Sequence, residues 1–312
     1  FDAYWASASA YPIASIVASP DTGTLTAIRD REALIDRSAA AAIYKAAVRE
    51  LPSYQALIRG ELPLVWAPAH LLVDDPSKGL GQAEPEQQLL HHMTEAVGVP
   101  VRALDLVSPY FVPTDSGTDY FVGLARRGVK VRILTNSLAA TDVLAVHSGY
   151  ARHRQRLLDA GVVLYELKPD PPGQGQDSTA VRKDDGFRMQ GSWSGSGSLG
   201  SSGSSLHAKT FGVDKERVFV GSFNFDPRSA RLNTELGIII DSPELATRVT
   251  QLFDQRVPLS SWEVRLGPEG GALRWLDAAS TPALTLTSEP STRWWQRAAV
   301  RLLEPLPIDW ML

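Results

Sequence analysis

The stretch VRALDLVSPYFVPTDSGTDYFVGLARRGVKVRILTNSLAATDVLAVHSGYARHRQRLLDAGVVLYEL, residues 101–167, decides the fold. Its apolar, β-branched runs at 101–107, 129–134 and 162–167 predict strands. Between them, 119–127 and about 140–160 carry apolar residues at helical spacing. Gly128 sits where the first of these helices should terminate, and Gly161 precedes the third strand. Strands alternating with helices imply an α/β layer structure, a largely parallel sheet covered by helices.

On the N-terminal side, DREALIDRSAAAAIYKAAVREL is rich in Ala, Leu, Arg and Glu and predicts helix over about 30–51. Residues 62–73 lean to strand, DDPSKGLG makes a loop, and EQQLLHHMTEAV after Pro85 predicts a helix ending near Gly98. On the C-terminal side, Leu245, Val249, Leu252 and Phe253 mark one helical face, and WEVRLGPEGGALRWL predicts a hairpin turning at GPEGG. Trp295, Ala299, Leu302 and Leu303 then line one face of a last helix and Arg293, Arg297 and Arg301 another, a pattern that suits either an interfacial membrane contact or a helix packed on the domain. Residues 168–205 show no periodicity, and GSWSGSGSLGSSGSS has linker composition; an insertion without a role and a lid are both open. The expected organisation is a helical lead-in at 1–60, a catalytic domain at 61–260 and a C-terminal hairpin with an amphipathic extension at 261–312.

Composition narrows the classes. With 312 residues, 44% of them hydrophobic, the chain can bury a large core. A formal charge of −4 supplies no overall basic field, so no nucleic-acid partner is expected. The absence of cysteine removes disulfides, thiolate nucleophiles and cysteine zinc sites together. No ligand spacing among the six histidines supports a metal, and neither metal nor cofactor is expected. The chain opens on FDAYWASASAYP, which reads as a helix already under way, and we expect it to be the C-terminal part of a longer protein.

The candidate chemistry lies in LHAKTFGVDKERVFVGSFNFDPRSARLNTELG, residues 206–237. His207 and Lys209 stand two apart on a strand, so an imidazole and an ammonium share a face. Alone, such a pair is more often surface decoration. Four residues then separate Lys209 from Asp214 and six separate Asp214 from Gly221, where Ser222 and Asn224 follow. A hairpin turning at KER brings hydroxyl and amide beside the imidazole and ammonium, a donor set for a phosphate. Glu235 opens a third apolar run, and its carboxylate could hold His207 in one tautomer. Tyr110, Thr135, Asn136, Asp142 and His147 fall at strand ends or helix starts and are weaker candidates.

The series H-x-K-x4-D-x6-G-S-x-N, filled by His207, Lys209, Asp214, Gly221, Ser222 and Asn224, resembles the signature of the phospholipase D superfamily. FDAYW, WAPAHLLVDDPSKG, SPYFVP, RGVKVRILTNSLAATDVLAVHSGY, LYELKP and GSFNFDPRS extend the resemblance to the second half of bacterial cardiolipin synthases, particularly the C-type branch. The resemblance implies a phospholipase D-like α/β/α domain with a mixed β-sheet, occurring twice, the two motifs meeting across a pseudo-two-fold axis. One histidine attacks phosphorus to form a phosphohistidine. The other protonates the leaving alcohol and deprotonates the incoming one. By the same resemblance Lys209 and Asn224 bind the phosphate, beside the Ser222 hydroxyl that the hairpin reading adds, an acid at the position of Glu235 supports the histidine, and the aspartate at Asp214 is usually structural.

One departure matters. The other histidines, His70, His91, His92, His147 and His153, begin no H-x-K, so the chain carries one motif where the synthases carry two. The alignment makes His207 the second-motif histidine, with the first supplied by a missing N-terminal half or by a homodimer partner. The expected activity is metal-free phosphatidyl transfer to phosphatidylglycerol or a related phospholipid, with peripheral contact at the cytoplasmic side of a bacterial inner membrane. The alternatives are a phospholipase or nuclease-type phosphodiesterase working as a homodimer, and an inactive half-enzyme that only binds.

Overall fold

The computed structural model describes residues 1–169 and 206–306, so the Gly/Ser-rich part of the 168–205 segment lies outside the described residues. The described chain forms two compact units, one of residues 1–66 and one from Ala67 onward. The first is helical, with α1 (Asp2–Trp5), α2 (Thr22–Asp36), α3 (Ala39–Glu50) and α4 (Pro52–Ile58). The side chains of Asp21 and Ser38 cap α2 and α3 by accepting from Thr24 N and Ala41 N. No residue of α2, α3 or α4 is buried, so good helix propensity and capping, rather than a core, define them.

The second unit is built on a ten-stranded mixed sheet. Its elements in chain order are β1 (Ala69–Val73), α5 (Leu89–Val97), β2 (Ala103–Val107), α6 (Thr114–Arg126), β3 (Lys130–Asn136), α7 (Leu144–Ala151), α8 (Arg154–Asp159) and β4 (Val163–Leu167). There follow β5 (Thr210–Val213), β6 (Arg217–Gly221), α9 (Pro227–Arg231), β7 (Leu236–Asp241), α10 (Pro243–Gln255), α11 (Val257–Ser260), β8 (Ser261–Leu266), β9 (Leu273–Asp277), β10 (Leu284–Leu286) and α12 (Trp294–Leu303). The strand order is β1-β7-β6-β5-β2-β3-β4-β8-β9-β10. Only β2, β3 and β4 are mutually parallel, and every other neighbouring pair is antiparallel.

The α/β expectation from residues 101–167 is met, with β2, β3 and β4 parallel, but the sheet as a whole is not largely parallel: β5 enters antiparallel beside β2, and seven of the nine strand pairs are antiparallel. Both helix-ending glycines have left-handed backbones, φ +86 at Gly128 and φ +89 at Gly161. Several boundaries differ from the sequence expectation: the helix expected over about 30–51 divides into α2 and α3 at Arg37 and Ser38, whose side chain caps α3, and the strand expected over 62–73 is confined to Ala69–Val73. The first crossover helix begins at Thr114 rather than 119, and the long helix expected at 140–160 divides into α7 and α8 around Arg152 and His153. The hairpin expected at GPEGG forms as β8 and β9, and β8 pairs with β4, so the C-terminal strands extend the same sheet.

Alternation along the central strands sorts two cores. Leu104, Leu106, Ile133, Phe211 and Phe219 face α5, α6 and α8, while Val107, Leu134, Tyr165, Phe253 and Val257 pack on the face covered by α10 and α11. Buried ion pairs cross both layers. Arg132 on β3 pairs with Asp105 on β2 and Asp254 on α10. Arg154 on α8 joins Glu166 on β4 at 3.1 Å and Glu289 at 2.6 Å, and Trp275 Nε1 on β9 donates to Glu166 at 2.8 Å. Through Glu289, which also meets His147 Nε2 at 3.2 Å, the C-terminal segment is tied to the helical layer.

Candidate active site

The site forms where β5 begins and β6 ends, at the middle of the sheet. Asn136, the last residue of β3, accepts from Leu206 N at 3.0 Å and donates to Leu206 O at 3.4 Å. This amide fixes the backbone immediately before His207. From there the period-two rule carries His207, Lys209, Phe211 and Val213 down one face. Lys209 Nζ lies 3.2 Å from His207 Nε2 and donates to His207 O at 3.0 Å.

Opposite, Gly221 closes β6 with its N–H on Lys209 O, and Ser222, Phe223, Asn224 and Phe225 follow. Phe223 and Phe225 anchor the segment by packing with the aromatic core. That leaves Asn224 between them, with its Oδ1 buried and without a hydrogen-bond partner among the described residues. Gly221 and Gly237 make room for the Phe219 ring: a Cβ at Gly237 would stand 2.2 Å from Phe219 Cε2.

Glu235 is buried at the start of β7. Its carboxylate was expected on His207, yet its contacts are two serines: Ser229 Oγ donates to Oε1 at 2.9 Å and Ser222 Oγ donates to Oε2. The physical reason is the loop between β6 and β7, where the Asp226-capped helix α9 turns Ser229 inward beneath the carboxylate. Glu235 instead acts on Lys209 through space, and together with Asp226 it favours the ammonium.

Electrostatics tune the pair. Burial first, then the Lys209 charge, holds the His207 imidazole below the usual histidine range, with Asp142 pulling the other way. Burial likewise lowers Lys209, against the two carboxylates. Asp142 is held by Tyr110, whose hydroxyl donates to both its oxygens at 2.9 and 3.0 Å. Burial and that hydrogen bond push the Tyr110 phenol far up, so it remains a donor. Of the weaker candidates, Asp142 thus acts on the imidazole through space and Tyr110 holds Asp142, whereas His147 is buried against Glu289.

Asp214 is not brought to this cluster. It follows β5, seven residues from His207, roughly 20 Å along an extended strand. Its carboxylate accepts backbone N–H bonds from Val101 at 3.0 Å, Arg102 at 2.7 Å and Ala103 at 2.8 Å. Partial burial pushes this acid up, and the three backbone donors with Arg102 more than offset that. Asp214 therefore pins the start of β2 to the β5–β6 turn.

A support layer escaped the sequence reading, which took DDPSKG only as a loop. Asp74 is buried and accepts from Lys78 Nζ at 2.7 Å, Leu89 N at 2.6 Å and Glu235 N at 2.8 Å. Buried Lys78 also donates to Ser229 O at 2.8 Å. Asp74 holds the Glu235 end of the β6–β7 loop and Lys78 holds its middle at Ser229. Two acids and a lysine within a Pro/Gly turn were the available signal.

Residues 89–257, from the start of α5 to the start of α11, match the family described as cardiolipin synthase, PLD-like domain. The chain belongs to this family. Among curated relatives, Cardiolipin synthase C of Escherichia coli (strain K12) is 40% identical over 312 residues, which is 100% of this chain and 62% of the relative. Cardiolipin synthase A of Yersinia pseudotuberculosis serotype O:1b (strain IP 31758) is 25% identical over 181 residues, 58% of this chain and 30% of its own length. The chain therefore spans less than two thirds of either relative. A solved phospholipase D family member, Nuc from Salmonella typhimurium, aligns at 17% identity and a TM-score of 0.42, covering 64% of this chain and 99% of its own. In this cardiolipin synthase-type domain, the matched span holds His207, Lys209, Asp214, Ser222, Asn224 and Glu235 together with Asn136 and Ser229.

Proposed function

We propose that the chain carries one half of the active site of a phosphatidyltransferase of the cardiolipin synthase type, working by metal-free phosphodiester exchange. The observation that carries this reading is the His207–Lys209 pair, 3.2 Å apart at the head of β5 in a domain of this family. The 40% identity to a protein named Cardiolipin synthase C over the whole chain supports the choice of acceptor, a phosphatidylglycerol hydroxyl.

The chemistry follows from the groups present. Lys209 and Asn224 hold the phosphate oxygens, with Ser222 positioned through Glu235. A histidine of a second motif attacks phosphorus, and the P–O bond to the leaving alcohol breaks as His207 gives that oxygen its proton. His207, now neutral, takes the proton of the incoming hydroxyl, whose oxygen attacks phosphorus and breaks the P–N bond. An imidazole set below the usual histidine range returns its proton readily and gains it once an anionic phosphate sits beside it. One histidine cannot attack and protonate at the same phosphorus. The second motif has to be supplied by another H-x-K segment, either a separate first-motif half or a second copy of this chain.

Peripheral attachment at the cytoplasmic face of a bacterial inner membrane completes the proposal. Among the described residues no helix is long and apolar enough to cross a membrane. Helix α12 packs inward through Val300 while leaving Trp294, Trp295 and Leu302 exposed beside Arg293 and Arg301, which suits an anionic surface.

Thin-layer analysis of lipids from cells expressing the chain together with a first-motif half tests the reading. Cardiolipin should rise over a His207→Ala control. Phosphatidic acid in its place would make the protein a phospholipase, and no difference from the control would leave a binding domain.

A further inference from the structure

The face that carries His207 and Lys209 does not end at the catalytic cluster. The next two residues on it, Phe211 and Val213, form with Leu104 the floor of a groove of about 480 Å³ between α5 and α6. The walls are apolar: Met93 and Leu90 on α5, Tyr120 and Phe121 on α6. Leu90 is 39% and Tyr120 44% exposed, so large apolar surface stands open to solvent rather than closed over by the core.

The direction of the groove is set by topology. Leu89 at the head of α5 donates to Asp74, which in turn holds Glu235, so this end of α5 lies at the catalytic loop. Val97 and Gly98 at its other end lie toward Leu104, near the start of β2. At the catalytic end the lining becomes polar, with Gln88, Asp226 and Arg231, and Asp226 is one of the two acids that act on Lys209. Phe223 and Phe225, which flank Asn224, are shared by the groove and the phosphate segment.

A ligand filling both parts has an anionic head at His207 and Lys209 and a long apolar tail along Phe211 and Val213. We propose that the α5–α6 groove binds one acyl chain of the phospholipid whose phosphate sits at His207. The assignment rests on the phospholipid reading above and adds to it the place of the tail. It also makes chain length a property that α5 and α6 select.

The test is binding of cis-parinaric acid, a fluorescent fatty acid, to the 312-residue chain. Leu90→Glu sets a charge on the wall at an exposed position, and Thr94→Trp fills the groove from another exposed position. Wild type and the surface variant Arg248→Ala on α10, outside the groove and the catalytic cluster, should bind the probe equally. Leu90→Glu should weaken binding by about tenfold or more, since a charge set against an acyl chain is costly, and Thr94→Trp should do the same with an unchanged unfolding midpoint. No probe binding to wild type, or equal binding by both groove variants, overturns the assignment. Cardiolipin formation is scored separately. Probe binding without it leaves the groove standing and removes the transferase, and cardiolipin formation with groove-independent binding does the reverse.

Discussion

Lys209 Nζ stands 3.2 Å from His207 Nε2, a cation set against the imidazole proposed to carry the proton. After burial, this charge is the main influence holding His207 below the usual histidine range. Replacing it by Lys209→Met should therefore raise the His207 pKa, with burial keeping part of the depression. Proton NMR titration of the imidazole Cε1–H reads the change directly. An unmoved or lower pKa in the variant would mean that the two groups do not face each other in solution. Phosphate affinity should fall in the same variant, because the ammonium is also the nearest anion ligand.

Asp214 belongs to the sequence motif, but its role should prove separable from catalysis. Asp214→Asn keeps the shape and tolerates the left-handed backbone at φ 54, while weakening the three N–H bonds from Val101, Arg102 and Ala103. We expect a loss of about 1–3 kcal/mol in urea unfolding, with the proposed transfer per folded molecule retained when a second motif is supplied. His207→Ala should do the opposite, keeping stability and losing turnover. A fully inactive but stable Asp214→Asn protein would refute this division.

Much of the fold was legible because its signals are local. The strands at 101–107 and 129–134 announced themselves by short apolar runs, and the β5–β6 hairpin by a polar turn whose Asp214 and Lys215 take left-handed backbones. The motif spacing was legible for the same reason, since His207 to Asn224 is one hairpin. What escaped lies across the chain. Asp74 reaches Glu235 over a separation of 161 residues and Lys78 reaches Ser229 over 151, and no local periodicity encodes either contact. Glu235 was assigned to the histidine because an acid can fix an imidazole's tautomer and because the family resemblance implies an acid at that position. Ser229, inside the same stretch, competes for the carboxylate once α9 turns it inward. The break between α7 and α8 was invisible for a different reason: Arg152 and His153 do not disfavour helix strongly, and tertiary packing ends it.

Gly237 should be among the least replaceable positions. The Phe219 ring stacks on Phe211 at 4.8 Å and lies over Gly237, so an added Cβ meets ring carbons at 2.2 and 2.3 Å. Since Phe219 is fully buried, the ring has no empty space to enter. Gly237→Ala should cost about 1–3 kcal/mol or more, seen as a lower urea midpoint. A second substitution, Phe219→Leu, should recover part of that loss by vacating the overlap. Additive losses in the double variant would show that the ring is not the obstacle.

The buried Arg154 should matter more for stability than any surface ion pair, because two carboxylates depend on it. Glu166 is fully buried and Glu289 is 8% exposed, and both accept from the same guanidinium. Burial pushes the Glu289 acid up, but His147 and Arg154 outweigh it and hold the carboxyl down at about 2. A depressed carboxyl contributes stability above its ordinary value near 4.5, and that contribution is lost as pH falls from there toward about 2. Arg154→Met removes the cation and leaves the carboxylates buried without it, at an expected cost of about 3–5 kcal/mol at pH 7. The gap between variant and wild type should narrow as acid neutralises Glu289. Urea unfolding of both proteins at pH 7 and pH 4 checks the magnitude and the sign, and a gap that widens on acidification would contradict the ion-pair account of how the C-terminal segment is held.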